Sequence, residues 1–226
     1  MAPPKLTLYK CRYCPYAARA VLAMAETQQE HEAVEIDITV PRPDWYLKDI
    51  NPYGQVPSLK IDDNHIILES LIVAEYIADL HPEVGLLPAD PLQRAQARYL
   101  IHHWGARTQA AIHRATITLD PVEAAKLRQE VIVELEKVDV LLQNAVRSPS
   151  REHGPFFLGS KFTFADLAIA PLLARFFLVT AYQNDITYDE FEETLQENPK
   201  LKRFLEWRDA AEFIKGFYRK FLPKAE

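Results

Sequence analysis

Leu6-Thr7-Leu8-Tyr9-Lys10-Cys11-Arg12-Tyr13-Cys14-Pro15-Tyr16-Ala17-Ala18-Arg19 is the stretch that decides the fold. Leu6 to Tyr9 is a short apolar run with strand character, and Pro15 to Ala25 has the spacing of a helix. Cys14 falls immediately before a proline at the first helical position, where a missing N–H costs nothing. The remaining amides of that first turn point back toward the sulfur and, with the helix dipole, favour a thiolate over a thiol. A thiolate at neutral pH is a nucleophile. The stretch therefore predicts a strand, a turn carrying two thiols and a helix, with sulfur chemistry at the turn.

Downstream, Glu32 to Ile38 alternates with period two and reads as a second strand. Pro41 to Ile50 reads as a loop with a short helix, and Pro57 to Ile61 as a third strand. Asp62-Asp63-Asn64 is a turn signal, and His65 to Leu68 returns from it to complete a hairpin. Ser70 opens a helix running to about Leu80, which Pro82 stops. The order βαβ then ββα predicts a small thioredoxin-like α/β domain over residues 1–82, followed by a linker at 83–91. Residues 92–226 predict an all-α domain, with helices over Gln93–Thr118, Pro121–Arg147, Ala165–Tyr182 and Asn198–Lys215. Leu127, Val131, Leu135, Val138 and Leu142 form a core stripe on the second of these. Ser148 to Gly154 reads as a loop. Thr163-Phe164-Ala165-Asp166 carries a helix cap: Thr163 accepts from a first-turn amide, and Asp166 reaches back to the amide of Thr163. That cap fixes the start of a buried helix, Leu167 to Phe177.

The chain has 226 residues, 48% of them hydrophobic and 26% charged, as in an ordinary folded protein. A net charge of -6 with no basic block argues against nucleic acid as a partner. No apolar run reaches the roughly 18 residues of a membrane span, and Met1-Ala2-Pro3-Pro4-Lys5 lacks the layout of a signal peptide. Two cysteines three positions apart are not a secreted disulfide scaffold. The expected compartment is the reducing cytoplasm.

Four blocks resemble the cytosolic glutathione transferases, and among them the omega class. They are Cys14-Pro15-Tyr16-Ala17-Ala18-Arg19, Asn51-Pro52-Tyr53-Gly54-Gln55-Val56-Pro57, Leu68-Glu69-Ser70 and the Thr163 to Asp166 cap. The resemblance implies the glutathione transferase fold, glutathione as co-substrate, a homodimer, and Cys14 as the catalytic thiol. It implies a cis peptide bond between Val56 and Pro57, leaving the Val56 main chain to pair with the cysteinyl part of glutathione as an added strand. Ser70 and the first amides of its helix suit the γ-glutamyl carboxylate, Glu69 suits the adjacent ammonium, and Arg42 suits the glycyl carboxylate. Two departures stand out. Ala18 replaces the acidic residue common in omega enzymes. The position three residues after Cys14, where glutaredoxins carry a resolving cysteine, is Ala17.

Three readings of the cysteine pair stay open: Cys14 as nucleophile beside an incidental Cys11, a Cys11–Cys14 dithiol couple, or half of a zinc site. The last lacks a second pair and a histidine at matching spacing. His102 and His103 are a poor chelating pair, because adjacent helical positions diverge by about 100°. Arg12 adds positive charge near the sulfur. Tyr9, Tyr13 and Tyr16 leave a hydroxyl mechanism as the alternative. A hydroxyl implies conjugation of electrophiles, whereas a cysteine implies thioltransferase or dehydroascorbate-type reduction through a mixed disulfide. A non-enzymatic ligand-binding module on the same fold is the third function class. The second substrate, a small molecule or a glutathionylated acceptor, is expected between the domains. Its expected wall is His102, His103, Trp104 and Arg107, with Arg175, Phe176 and Phe177 from a later helix.

Overall fold

A computed structural model describes residues 4–62, 65–145, 154–182 and 186–210. The chain divides into two compact units, Met1–Leu87 and Pro88–Glu226.

The first unit is a four-stranded mixed sheet flanked by helices. Strand β1 (Leu6–Lys10) is followed by helix α1 (Pro15–Glu26), β2 (Glu32–Glu35), α2 (Asp44–Asp49), β3 (Ser58–Ile61), β4 (His65–Leu68) and α3 (Ser70–Leu80). The sheet order is β2-β1-β3-β4, with β1 parallel to β2 and antiparallel to β3. Leu6 and Leu8 of β1 and Leu59 of β3 are buried in the core, and α1 packs against α3. The regular part of β2 is shorter than the period-two run from Glu32 to Ile38. The Ile36 amide still reaches Lys10 O at 2.7 Å, but Asp37 then accepts from the amide and hydroxyl of Thr39 and turns the chain away. As an edge strand, β2 is mostly exposed. Lys5 pairs with Glu32 at 3.3 Å and Lys10 with Glu35 at 2.7 Å along it.

The second unit is helical. It comprises α4 (Pro91–His103), α5 (Gln109–Ile117), α6 (Pro121–Gln143), α7 (Phe164–Tyr182), α8 (Ile186–Glu197) and α9 (Lys202–Ala210). Both α4 and α6 start the same way: Asp90 and Asp120 accept from the amides of Gln93 and Glu123, each at 2.8 Å, with proline next in the chain. Helix α4 therefore begins inside the segment expected to be a linker.

The single helix expected over Gln93–Thr118 is interrupted by a π-helical turn at Trp104–Thr108. There the Gln109 amide bonds to Trp104 O, and the Trp104 indole N–H donates to the Gln109 side chain at 3.2 Å. Helix α8 has no counterpart in the expected elements. The expected helix from Asn198 resolves into a 3₁₀ turn at Pro199–Leu201 and then α9. Leu127, Val131, Leu135, Val138 and Leu142 of α6 are all buried. Asp63, Asn64, Arg147, the loop around Ser148, the Phe177 side chain and residues 211–215 lie outside the described residues.

Candidate active site

Cys14 is the residue that precedes α1, in extended backbone (φ -85°, ψ 117°), with Pro15 opening the helix. Its amide bonds to Cys11 O and its own carbonyl accepts from Ala18, both at 3.1 Å. The thiol makes no capping bond to a first-turn amide. It donates to the main-chain oxygen of Val56 at 3.8 Å. Cys14 is 8% exposed and Cys11 4%. Both belong to an apolar cluster with Tyr9, Ala17, Ile36, Tyr46, Ile50 and Val56, and neither is in a disulfide. The Arg12 guanidinium is drawn to Glu35, 3.4 Å away, and Glu35 also takes the Arg12 amide at 2.7 Å. The charge expected beside the sulfur is thus engaged at the sheet edge.

The loop facing Cys14 is held by residues that the motif reading left without a role. The Asn51 side chain donates to Gln55 O at 3.0 Å and accepts from the Tyr53 amide at 3.0 Å. The fully buried Tyr46 donates its hydroxyl to Gln55 O at 2.6 Å and meets Ser58 Oγ at 3.0 Å. Burial raises the pKa of this phenol, so it stays a donor. Gly54 adopts φ +65°, and a Cβ there would sit 3.0 Å from Arg42 Cγ and 3.2 Å from Leu47 Cδ2. The loop ends in a cis peptide bond between Val56 and Pro57.

Arg42 has a different occupation from the one expected. Its Nε donates to Gly54 O at 2.9 Å, Nη1 to Asp37 O at 2.9 Å and to Val40 O, and Nη2 to Ile38 O at 3.1 Å. Four of the five guanidinium hydrogens are therefore spent on main-chain carbonyls. Arg42 clamps the 37–42 turn to the 51–57 loop, and one N–H is left for any carboxylate.

At the far side, Glu69 has φ +71° and immediately precedes α3. This is a strained conformation for a residue with a side chain, and such strain collects at functional sites. The Glu69 carbonyl accepts from Val73 at 2.9 Å as the helix begins. Its side chain is exposed, while Ser70 is buried.

Cys14, Arg42, Val56, Pro57, Glu69 and Ser70 line one cavity of about 560 Å³, together with Tyr16, Asn51 and Tyr53. That volume is in the range of small-molecule sites. Tyr16 and Tyr13 are exposed and Tyr9 is buried. Tyr16 is the hydroxyl of these three that borders the cavity.

The residues expected to form a second-substrate wall all lie in the second unit, and those described differ in burial. Trp104 is fully buried, edge-on to Trp207 at 6.4 Å. It is a core residue, which corrects its assignment to a wall. His103 is buried 3.5 Å from Glu134, without hydrogen-bond geometry. Desolvation depresses its pKa, against the pull of Glu134. His102 is exposed on the same helix. Arg107 is exposed and lines a cavity of about 590 Å³ with Arg114, Lys126, Glu130 and Glu134. Arg175 and Phe176 are half-buried, with Phe176 edge-on to Phe191.

The cap at α7 forms around Asp166, which is buried. Its Oδ2 accepts from the Thr163 amide at 2.8 Å and the Thr163 hydroxyl at 2.7 Å. Its Oδ1 accepts from the Phe157 amide at 2.8 Å and the Trp207 indole at 2.6 Å. Thr163 thus donates its hydroxyl to the carboxylate. Burial pushes the Asp166 carboxyl above its ordinary pKa, while the four donors pull it back.

A mixed sheet with an α1 thiol and a cis-prolyl loop at one cavity, followed by a helical unit, is the architecture of a glutathione transferase. The glutathione S-transferase N-terminal domain family matches residues 8–85, and the C-terminal domain family matches residues 125–219. The chain is 30% identical over 184 residues to the probable glutathione transferase omega-2 of Caenorhabditis elegans, covering 78% of this chain and 67% of that protein. It is 31% identical over 176 residues to the probable maleylacetoacetate isomerase of the same organism, covering 75% of this chain and 77% of that protein. The crystal structure of glutathione transferase Omega 1C from Trametes versicolor superposes with a TM-score of 0.78 at 26% identity, covering 97% of this chain and 92% of that one. The chain belongs to the glutathione transferase family and is an omega-like enzyme of it.

Proposed function

We propose that the enzyme is a glutathione-dependent thioltransferase with Cys14 as its nucleophile. The observation that carries this reading is the position of the Cys14 thiol. It lies at the start of α1, bonded to the Val56 main chain, in the cavity that Glu69 and Ser70 also line. Glutathione enters with its cysteinyl backbone along Val56, its γ-glutamyl end at Glu69 and Ser70, and its sulfur toward Cys14. The glycyl carboxylate takes the one N–H of Arg42 left over from the loop.

The Cys14 thiolate attacks the glutathionyl sulfur of a mixed disulfide R–S–S–G. The S–S bond of R–S–S–G breaks, R–S⁻ leaves and takes up a proton, and Cys14 holds the glutathionyl group in a new disulfide. A glutathione thiolate then attacks that sulfur, releasing oxidised glutathione and restoring Cys14. The sum is R–S–S–G plus glutathione giving R–SH plus oxidised glutathione. The reading extends to a homodimer, which sedimentation at micromolar concentration tests.

Hydroxyethyl disulfide reduction and chlorodinitrobenzene conjugation, assayed in parallel, test the chemistry. Reduction is expected to dominate, and Cys14→Ser to abolish it along with the glutathione adduct seen by mass spectrometry. Full reduction by Cys14→Ser would overturn the proposal. Conjugation that survives in Cys14→Ser and is lost in Tyr16→Phe would assign the enzyme to hydroxyl chemistry instead.

A further inference from the structure

Arg19 lies within α1, five positions after Cys14, and is only 6% exposed. Keeping a guanidinium out of water is costly unless its charge is used. Its Nη1 donates to Ser70 Oγ at 3.1 Å, and its central carbon stands 5.4 Å from the Tyr16 ring centroid. Ser70 is the first residue of α3 and lines the cavity; Arg19 is not a lining residue and approaches the serine from behind.

A serine hydroxyl has one hydrogen and two lone pairs. With Arg19 on a lone pair, the hydrogen is left to donate. A cation behind the oxygen also makes that hydroxyl a stronger donor. The first amides of α3 add their own preference for negative charge at the same place.

We propose that Arg19 is a positioning residue for the γ-glutamyl end of glutathione: its guanidinium fixes Ser70 so that the hydroxyl hydrogen faces a carboxylate at the start of α3. Tyr16, on the cavity side, shares the same cation. The proposal rests on the reading that Ser70 receives the γ-glutamyl carboxylate.

The test measures S-methylglutathione binding by calorimetry for the wild-type protein, Arg19→Met, Ser70→Ala and the double variant. Arg19→Met is expected to weaken binding about tenfold, the scale of one charge-assisted hydrogen bond. The double variant is expected to bind no worse than Ser70→Ala. Cysteinylglycine lacks the γ-glutamyl group. With it as the reducing thiol, the kcat/KM of Arg19→Met is expected to match that of the wild type. Arg19→Lys keeps the charge and carries the test if Arg19→Met does not fold: KM for glutathione rises, kcat holds, and cysteinylglycine kinetics are unchanged. Full additivity with Ser70→Ala, or an equal loss with cysteinylglycine, would overturn the proposal. Unchanged binding in Ser70→Ala itself would instead overturn the reading beneath it.

Discussion

Cys14 Sγ and the main-chain oxygen of Val56 stand 3.8 Å apart across 42 residues of sequence. The contact joins the start of α1 to the loop that ends at Pro57. It also places the thiol in a buried, mostly apolar setting, against a main-chain carbonyl. A carbonyl suits the protonated sulfur and opposes the thiolate. A ligand backbone pairing with Val56 would therefore alter the environment of the Cys14 thiol as it binds.

Cys11 sits beside this site without lining the cavity. If it only fills the apolar cluster, Cys11→Ala will keep turnover near wild type and cost about 1 kcal/mol of stability in urea unfolding. A large drop in thioltransferase rate, with loss of both thiols from wild-type protein oxidised in the absence of glutathione, would instead mark a dithiol couple.

Arg42 predicts a split between binding and chemistry. Arg42→Ala removes four main-chain hydrogen bonds and frees the 51–57 loop from the 37–42 turn. Stability of the first unit should fall by about 1–3 kcal/mol, and KM for glutathione should rise more than kcat falls. Gly54→Ala, which pushes against the same arginine and must hold φ +65°, should act in the same direction. Steady-state kinetics with unchanged KM in both variants would refute the clamp.

Asp166 predicts a purely structural loss. Asparagine at this position presents an amide NH₂ to two of the four donors that now meet a carboxylate. Asp166→Asn should lower stability by about 3 kcal/mol or more, since buried donors lose their acceptor. Thermal unfolding followed by tryptophan emission reads this directly, because the Trp207 indole is one of the donors. A variant as stable as wild type would be incompatible with this account.

His103 predicts a pH dependence. Burial holds the folded-state pKa below the ordinary 6.5, opposed by Glu134 and aided by Arg107, Lys137 and His102. The unfolded chain then binds a proton that the folded state resists. The stability contribution is complete above about 6.5 and is lost as pH falls from there toward the depressed value. Urea midpoints measured between pH 8 and pH 5 should decline in wild type and decline less in His103→Gln. Equal slopes in the two proteins would exclude His103 as the cause.

Much of this was legible in the residues. The cysteine–proline junction, the hairpin and the helix at Ser70 follow from turn chemistry and period-two or helical spacing, and each matches an observed element. Three of the four motif blocks contain residues that line the cavity, and the fourth is the cap of α7. What escaped reading is cooperative. The occupation of Arg42 depends on carbonyls at Asp37, Ile38, Val40 and Gly54 converging in space. The roles of Arg19 and Tyr46 depend on partners 51 and 12 residues away. The π turn at Trp104 has no local signature, and its indole packs against a ring far along the chain, that of Trp207. The start of α4 was readable: Asp90-Pro91 repeats the Asp120-Pro121 signal.

The ion pairs along β2 bear on how copies of this chain behave when crowded. An unpaired strand edge is a template for another strand, and proteins guard such edges by shortness and charge. Here the edge strand β2 is four residues long and carries Glu32 and Glu35, held by Lys5, just before β1, and by Lys10 of β1. Another copy aligning in antiparallel register at that edge would bring these carboxylates toward their counterparts. The β2 edge thus resists growth by self-addition, a protection against aggregation contained in four residues.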